Sequence, residues 1–248
     1  PGEGVVVAVD QGGTKTAVGV VDATGSLQPV TTQPTPGHDG PAALLDHMAE
    51  LVAQAVAATD RPVRGVGVGT AGTVDLTTGR IVSSTDALAG WAGTDVVAEL
   101  RRRIPVPGGA GRGPDAGDPA GPDWPLVVVN DVAAHAAGEW WQGAGRGYRH
   151  GLLVAVGTGI GGAVVVDGKL WGGGHGLAGQ HMGHIPVAEA AGMRCPCGGE
   201  GHLEAIASGP AIARRYRLRA AAEGDGKGNG EVVDTREVRR RAEAGEGL

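Results

Sequence analysis

The sequence contains no phenylalanine, only two cysteines and no long uninterrupted run of apolar residues. The missing apolar run indicates that no transmembrane helix is present, although 41% of the 248 residues are hydrophobic. Basic residues number 21 against 27 acidic ones, and this net charge of −6 argues against a nucleic-acid-binding surface. Cys195 and Cys197 have one residue between them, a poor spacing for a disulfide, so we expect a cytoplasmic protein with reduced thiols.

A β-prone segment, a glycine-rich turn and a second β-prone segment follow one another at two places in the chain. The first copy runs from residue 5 to residue 22, with its turn at Gly12-Gly13-Thr14-Lys15. The second runs from residue 152 to residue 166, with its turn at Gly157-Thr158-Gly159-Ile160-Gly161-Gly162. Valine dominates the segments on either side of both turns, which predicts strands. The repetition predicts an internal duplication.

The second turn also satisfies the dinucleotide fingerprint G-x-G-x-x-G. That fingerprint requires a helix directly after the turn, whereas a β-branched run follows here, so we interpret both turns as phosphate-binding β-turns. Asp10, at the end of the first strand, could hold Mg²⁺ through water. The alternatives are glycine-rich hairpins without a ligand, and an ordinary turn aspartate.

Asp131 is the candidate catalytic residue. Asn130 and Asp131 follow the apolar strand 126–129 and precede a helix predicted over residues 132–141. Either residue could simply cap that helix. A carboxylate at a strand end that faces a phosphate site is also where a base for a hydroxyl group belongs. The small-residue turn Thr70-Ala71-Gly72-Thr73 is predicted to lie near the substrate.

Four residues have spacings that suit a metal ion: His184, Cys195, Cys197 and His202. Zn²⁺ favours such a set of nitrogen and sulfur ligands, and a closed set of four is structural. The resulting zinc knuckle would present Glu204 and His181 to the substrate. The alternative is two free thiols and two surface histidines.

The chain is predicted to form two α/β domains, residues 1–125 and 126–248, with a low-complexity loop at 108–123. An amphipathic helix is predicted over residues 41–60, and Thr94 is predicted to cap a helix that ends at Arg103.

These motifs together resemble the ROK family of sugar kinases and sugar-responsive repressors. The resemblance is carried by Asp10-x-Gly-Gly-Thr14-Lys15, Asn130-Asp131, Gly157-Thr158-Gly159-x-Gly161-Gly162, Gly183-His184 and Cys195-x-Cys197-Gly198-x-x-Gly201-x-Leu203-Glu204-Ala205.

The resemblance implies an actin/hexokinase-like (ribonuclease H-like) fold of two α/β domains, with ATP and sugar in the cleft between them. It implies that both glycine turns hold the phosphates of ATP with Mg²⁺, that Asp131 is the base, and that a structural Zn²⁺ is present. It also implies sugar contacts from Asn130, Asp131, His184 and Glu204, and a dimer or tetramer.

The chain departs from the family pattern at three places. His202 stands where a third cysteine is usual, and His181 stands where many family glucokinases have glutamate. The segment around His181 is more similar to that of N-acetylmannosamine kinases. The family continues beyond the position of Leu248, so we expect a fragment that lacks the C-terminal end.

The predicted function is ATP-dependent phosphorylation of a hexose or N-acetylhexosamine, glucose or N-acetylmannosamine. The alternatives are a sugar-sensing transcriptional regulator and a catalytically silent sugar-binding relict.

Overall fold

The computed structural model describes residues 4–84, 88–104, 124–223 and 234–245. The chain divides into two compact units: the first comprises Pro1–Gly151 and Val164–Ala178, the second Leu152–Ala163 and Gly179–Leu248. The predicted division after residue 125 does not coincide with these units and stays a prediction. The predicted loop 108–123 lies outside the described residues. Among the described helices, none is long and apolar enough to cross a bilayer.

Strands and helices of the described ranges are numbered in chain order. The strands are β1 (Val5–Gln11), β2 (Lys15–Asp22), β3 (Thr31–Pro34), β4 (Val63–Thr70), β5 (Thr73–Val74), β6 (Ile81–Ser83), β7 (Leu126–Asn130), β8 (Gly151–Val156), β9 (Ile160–Val166) and β10 (Lys169–Leu170). The helices are α1 (Gly40–Ala57), α2 (Val96–Arg103), α3 (Asp131–Gln142), α4 (Glu204–Ala207), α5 (Gly209–Glu223) and α6 (Thr235–Glu243).

The first unit is built on a five-stranded sheet with the order β3-β2-β1-β4-β7. β1 pairs antiparallel with β2 and parallel with β4, and β4 pairs parallel with β7. The predicted strand–turn–strand pattern is therefore confirmed for the first glycine turn. A second sheet has the order β10-β9-β8, and strands β8 and β9 flank the second glycine turn as predicted.

Helix α1 supplies much of the core of the first unit. Its apolar residues recur at helical spacing, and the fully buried ones are Leu44, Leu45, Met48, Leu51 and Val52. Each buried side chain of this size contributes about 1.5–3 kcal/mol relative to exposure. The helix ends at Ala57, three residues before the predicted end. At this end the N–H of Ala58 donates to the carbonyl of Gln54 at 3.0 Å, and Pro62 disfavours a helical conformation only at Arg61.

The cap of α2 differs from the sequence-based expectation by one residue, and the cap of α3 is one of the two residues that the sequence left open. Asp95, and not Thr94, caps α2, because its side chain accepts a hydrogen bond from the N–H of Ala98 at 3.0 Å. Asn130 caps α3, where its Oδ1 accepts from the N–H groups of Val132 and Ala133, so Asp131 is the first helical residue. The cap is thus a different residue from the proposed base.

Candidate functional site

In the first unit, polar residues lie in register at the carboxyl ends of three parallel strands. Gln11 is the register partner of Thr70, and Thr70 is the partner of Asn130. Ligands of open α/β sheets bind beyond this edge. Asp10 lies near the end of β1, the first glycine turn follows that strand, and Asp131 follows β7 directly. The sheet therefore brings the candidate residues of the first unit to one edge.

The first glycine turn is tight and accessible. The N–H of Gly12 donates to the carbonyl of Lys15 at 3.0 Å, which closes the turn between β1 and β2. Thr14 and Lys15 are exposed, as is Asp10 at the end of β1. Gln11 is the exception, because its side chain is completely buried. Backbone N–H groups and a cationic side chain are thus available to an anion on the open side of the turn.

Asn130 uses both ends of its amide to fix this edge. Its Oδ1 caps α3, and its Nδ2 donates to the carbonyl of Gly72 at 2.7 Å. Gly72 has φ +105°, and a Cβ there would lie 2.8 Å from the carbonyl oxygen of Ser83. The predicted substrate contacts Gly72 and Asn130 are therefore bonded to each other, and Asn130 joins the end of β7 to the turn after β4.

Asp131 is held where α3 packs closely on β4. A Cβ on Gly69 would lie 3.0 Å from the Cβ of Ala134, so glycine permits this approach. The Asp131 carboxylate is half-buried and accepts a hydrogen bond from the N–H of Val132 at 2.8 Å. Burial raises the pKa of Asp131, and the negative charge of Asp10 raises it further, against the lowering effect of the Val132 hydrogen bond. A carboxylate with a raised pKa is a stronger base once it is deprotonated.

The second glycine turn is closed by hydrogen bonds from within the second unit. The N–H of Gly157 donates to the carbonyl of Gly159 at 2.9 Å, and the N–H of Gly209 donates to the carbonyl of Gly157 at 2.8 Å. The N–H of Ile160 donates to Oε2 of Glu204 at 2.8 Å in a buried position. The N–H groups of Gly157 and Ile160 are therefore engaged inside the protein, while Gly157 and Thr158 are exposed.

The glycines of this turn differ in their surroundings. A Cβ on Gly162 would lie 2.8 Å from the Cβ of Met182 and 2.9 Å from the carbonyl oxygen of Gly179. A Cβ on Gly157 would meet nothing within 4 Å. Gly162 thus permits close packing, whereas Gly157 leaves open space that a ligand could approach. The predicted phosphate contacts of Gly157, Thr158, Gly159, Gly161 and Gly162 stay predictions.

The four predicted metal ligands form one cluster in the second unit. His184, Cys195, Cys197 and His202 each offer a ligand atom, and these atoms lie within 4.8 Å of one another. Cys195 Sγ is 3.7 Å from His184 Nδ1, and Cys197 Sγ is 3.2 Å from His202 Nδ1.

A tetrahedral zinc site has nitrogen–sulfur separations of about 3.6 Å, from Zn–N and Zn–S distances of about 2.1 and 2.3 Å. The donor set and its spacing therefore fit Zn²⁺.

Two isolated antiparallel β-bridges order the backbone around the cluster. Pro186 pairs with His202, and Arg194 pairs with Glu200. Gly198 and Gly201 adopt φ of +91° and +76°, which only glycine adopts readily. Burial raises the pKa of the Cys195 thiol, and the neighbouring Cys197 and Glu204 raise it further. A metal cation in the cluster would oppose this shift, because it binds the thiolate.

Glu204 and His181 each lie close to one member of this cluster. Glu204 is buried, and its Oε1 is 3.9 Å from Cys195 Sγ while its Oε2 accepts from Ile160. His181 is exposed, with its ring centroid 5.8 Å from that of His184. Partial burial lowers the pKa of His181, and the nearby His184 lowers it further. The sequence did not predict the hydrogen bond of Glu204 to the second turn. It also did not predict Gln11 and Thr35, whose side chains donate hydrogen bonds to the carbonyl of Gly12 in the first turn.

Comparison with known proteins identifies the chain's relatives. The model of the ROK family matches residues 6–113 and 121–247. The glucokinase of Thermotoga maritima is 34% identical over 86% of this chain and 60% of its own length. The N-acetylmannosamine kinase of Escherichia coli is 32% identical over 97% of this chain and 70% of its own length. The chain spans 58–61% of the length of the first curated glucokinases it matches.

Solved structures agree with the predicted hexokinase-like α/β fold. A ROK family glucokinase from Streptomyces griseus, in complex with glucose and AMPPNP, superimposes with a TM-score of 0.72 at 30% identity. That match covers 98% of this chain and 72% of the other. A ROK family transcriptional regulator superimposes with a TM-score of 0.77 at 21% identity, which shows a shared fold.

Proposed function

The chain belongs to the ROK family, and from that premise we propose that it is an ATP-dependent sugar kinase. It transfers the γ-phosphate of ATP to a hydroxyl of a hexose or an N-acetylhexosamine, with glucose and N-acetylmannosamine as the first candidates. The relatives support this proposal, since they include glucokinases and N-acetylmannosamine kinases at 30–34% identity. The observation that carries it is Asp131, a half-buried carboxylate of raised pKa at the carboxyl edge of the sheet.

In this proposal Asp131 accepts the proton of the sugar hydroxyl as its oxygen attacks the γ-phosphorus. Asn130 holds the end of β7 and the turn at Gly72 in fixed relation, so that the base is positioned before substrate binds. Phosphoryl transfer needs positioning and neutralisation of charge more than covalent help from the protein. His181, His184 and Glu204 are proposed as further sugar contacts, as the resemblance to the family implies.

The phosphates of ATP are proposed to bind the two glycine turns. In the first turn, Gly13 and Thr14 supply backbone N–H groups and Lys15 supplies a positive charge. Gly12 gives the turn its shape, because its own N–H donates to the carbonyl of Lys15. Asp10 is exposed at the end of β1, where its carboxylate could bind Mg²⁺ through water. When bound, the magnesium ion neutralises charge on the phosphate oxygens.

We also infer that His184, Cys195, Cys197 and His202 hold a structural Zn²⁺. The ion would complete a closed set of four protein ligands, and it would tie the loop of the two cysteines to His184. His202 takes the place of the third cysteine usual in the family, and its Nδ1 is near enough to Cys197 for both to bind one ion. The cytoplasmic location and the dimer or tetramer stay predictions.

The test is sugar-dependent release of ADP by the complete gene product. The panel contains glucose, N-acetylglucosamine and N-acetylmannosamine, and Asp131→Asn is compared with Asp60→Asn. Asp60 is an exposed carboxylate in the loop before β4, at the opposite end of the parallel strands. Asp131→Asn is expected to lower kcat by about 10²- to 10⁴-fold with little change in sugar affinity, while Asp60→Asn keeps full activity.

Near-normal kcat in Asp131→Asn would contradict the role of that residue. Sugar binding without turnover by the wild-type protein would favour a regulator or a silent sugar-binding protein.

A further inference from the structure

The carbonyl of Gly12, in the first glycine turn, accepts two side-chain hydrogen bonds. Gln11 Nε2 donates to it at 2.9 Å, and Thr35 Oγ1 donates to it at 2.9 Å. Gln11 is completely buried and Thr35 is half-buried just after β3. A carbonyl that accepts from two protein donors is fixed in direction, and here it is fixed on the protein side of the turn.

The direction of that carbonyl determines the direction of the next N–H. The Gly12 carbonyl and the Gly13 N–H belong to one planar peptide group, and no described peptide bond is cis. In a trans peptide the C=O and N–H vectors point in opposite directions. The Gly13 N–H therefore points away from Gln11 and Thr35, to the side on which a ligand can approach the turn.

Gln11 is itself oriented by a buried relay of hydrogen bonds. The indole N–H of Trp91 donates to Thr70 Oγ1 at 3.2 Å, and Thr70 Oγ1 donates to Gln11 Oε1. All three side chains are at most 1% exposed. Because the relay engages the amide oxygen of Gln11, it leaves the amide nitrogen to face Gly12. A buried glutamine held at both ends in this way has few alternative rotamers.

Thr35 is oriented in a similar way from the next strand. Its Oγ1 lies 2.9 Å from Thr16 Oγ1. A hydroxyl carries one hydrogen, so Thr35, which donates to Gly12, accepts from Thr16. The backbone N–H of Thr35 also donates to the carbonyl of Thr14 at 3.0 Å. The turn is thus fixed by Thr35 through its side chain and its backbone.

We propose that Gln11 and Thr35 are positioning residues of the first glycine turn, which aim the Gly13 N–H at a phosphate group of a nucleoside triphosphate. The inference rests on the proposed kinase function, because that function supplies the anion. Neither residue contacts the phosphate; each acts by holding the peptide that does. Their loss is therefore expected to weaken phosphate binding and to leave sugar binding unchanged.

The experiment measures dissociation constants by calorimetry on the complete protein. The variants are Thr35→Val and Gln11→Met, which preserve shape and remove the donor, and Thr32→Val is the control, an exposed threonine of β3. The probes are Mg·ATP, inorganic tripolyphosphate and the sugar that supports turnover. Thr35→Val and Gln11→Met are each expected to raise the dissociation constants for ATP and tripolyphosphate about three- to tenfold, as for one weakened hydrogen bond to a charged group.

Sugar affinity in both variants and all affinities of Thr32→Val should stay within twofold of wild type. A second readout needs no substitution: the amide resonance of Gly13 in the wild-type protein should shift on addition of tripolyphosphate.

Unchanged phosphate affinity in both variants would overturn the inference, as would a Gly13 amide that tripolyphosphate does not shift. Equal losses of sugar and phosphate affinity that follow a loss of thermal stability would show a merely structural role and would also overturn it. A wild-type protein that binds neither ATP nor tripolyphosphate would contradict the proposed function itself, and this inference with it.

Discussion

Glu204 offers a sharp test of how the second glycine turn is held. Its Oε2 is the acceptor for the N–H of Ile160 at 2.8 Å, and the contact is buried. Glu204→Ala removes this acceptor and leaves a buried N–H without a partner. Glu204→Gln retains an amide oxygen that can accept the same bond, and it removes only the charge. The two variants therefore separate the hydrogen bond from its charge.

The expected magnitudes follow from the type of bond that is lost. A hydrogen bond to a charged group contributes about 1.5–3 kcal/mol, and a stranded buried N–H costs a similar amount, so Glu204→Ala should lower the free energy of unfolding by about 2–3 kcal/mol. Glu204→Gln should lower it by about 1 kcal/mol. For a protein of this size 1 kcal/mol corresponds to about 2–4 °C in Tm, so we expect shifts of about 5–10 °C and 2–4 °C.

The assay is thermal unfolding followed by calorimetry, with the metal content of every sample matched. Glu189→Ala is the control, because Glu189 is an exposed glutamate on the same unit. It should shift Tm by less than about 2 °C. Equal shifts for Glu204→Ala and Glu204→Gln would refute the reasoning, since the retained amide oxygen would then have no effect. Shifts as small as that of Glu189→Ala would do the same.

Three further results are expected. Asp131→Asn should unfold at a higher temperature than wild type at pH 7–8, because the raised pKa of Asp131 gives stability that is present below its ordinary value of 3.8 and is lost as pH rises through the folded-state value. The difference in Tm between Asp131→Asn and wild type should therefore shrink toward pH 4 when melting is measured at several pH values. A difference that widens on acidification would contradict the burial argument. Gly162→Ala should lower the free energy of unfolding by about 1–3 kcal/mol, because its Cβ would overlap Met182, whereas Gly157→Ala should keep its Tm and bind ATP more weakly. A lower Tm for Gly157→Ala with an unchanged Tm for Gly162→Ala would be inconsistent with this packing. Metal analysis should find about one zinc per chain and chelation should lower Tm, while less than half an equivalent, or a Tm unaffected by chelator, would exclude the structural ion.

The glycine turns, the metal cluster and helix α1 could be predicted because each is encoded in a short segment. Valine runs on both sides of Gly12-Gly13 predict a hairpin without reference to the rest of the chain. The helix caps were harder, because Asn130 and Asp131 are both good capping residues. Only the backbone conformation distinguishes them: Asn130 is extended, with φ −62° and ψ 147°, and Asp131 is the first residue with helical geometry.

The residues that anchor the turns could not be predicted, because they are distant in sequence. Thr35 lies 23 residues from Gly12, Thr70 lies 59 residues from Gln11, and Glu204 lies 44 residues from Ile160. Gln11 continues the alternation of Val5, Val7 and Val9 directly before two glycines, and this position was a usable signal for the first turn. It suggests a polar partner inside the core, since an amide buried without hydrogen bonds is costly. It does not say which residue that partner is.

The two glycine turns resemble each other in sequence, yet the side chains that hold them bind different backbone groups. In the first turn neutral donors hold a carbonyl, that of Gly12; in the second a carboxylate holds an N–H, that of Ile160. The similarity between the two turns therefore extends to the strands and the glycines and not to the side chains that fix the peptides. Each turn also has one carbonyl that is held by donors, that of Gly12 in the first and that of Gly157 in the second. Because a held carbonyl turns the following N–H outward, we expect Gly13 and Thr158 each to offer a backbone donor to an anion.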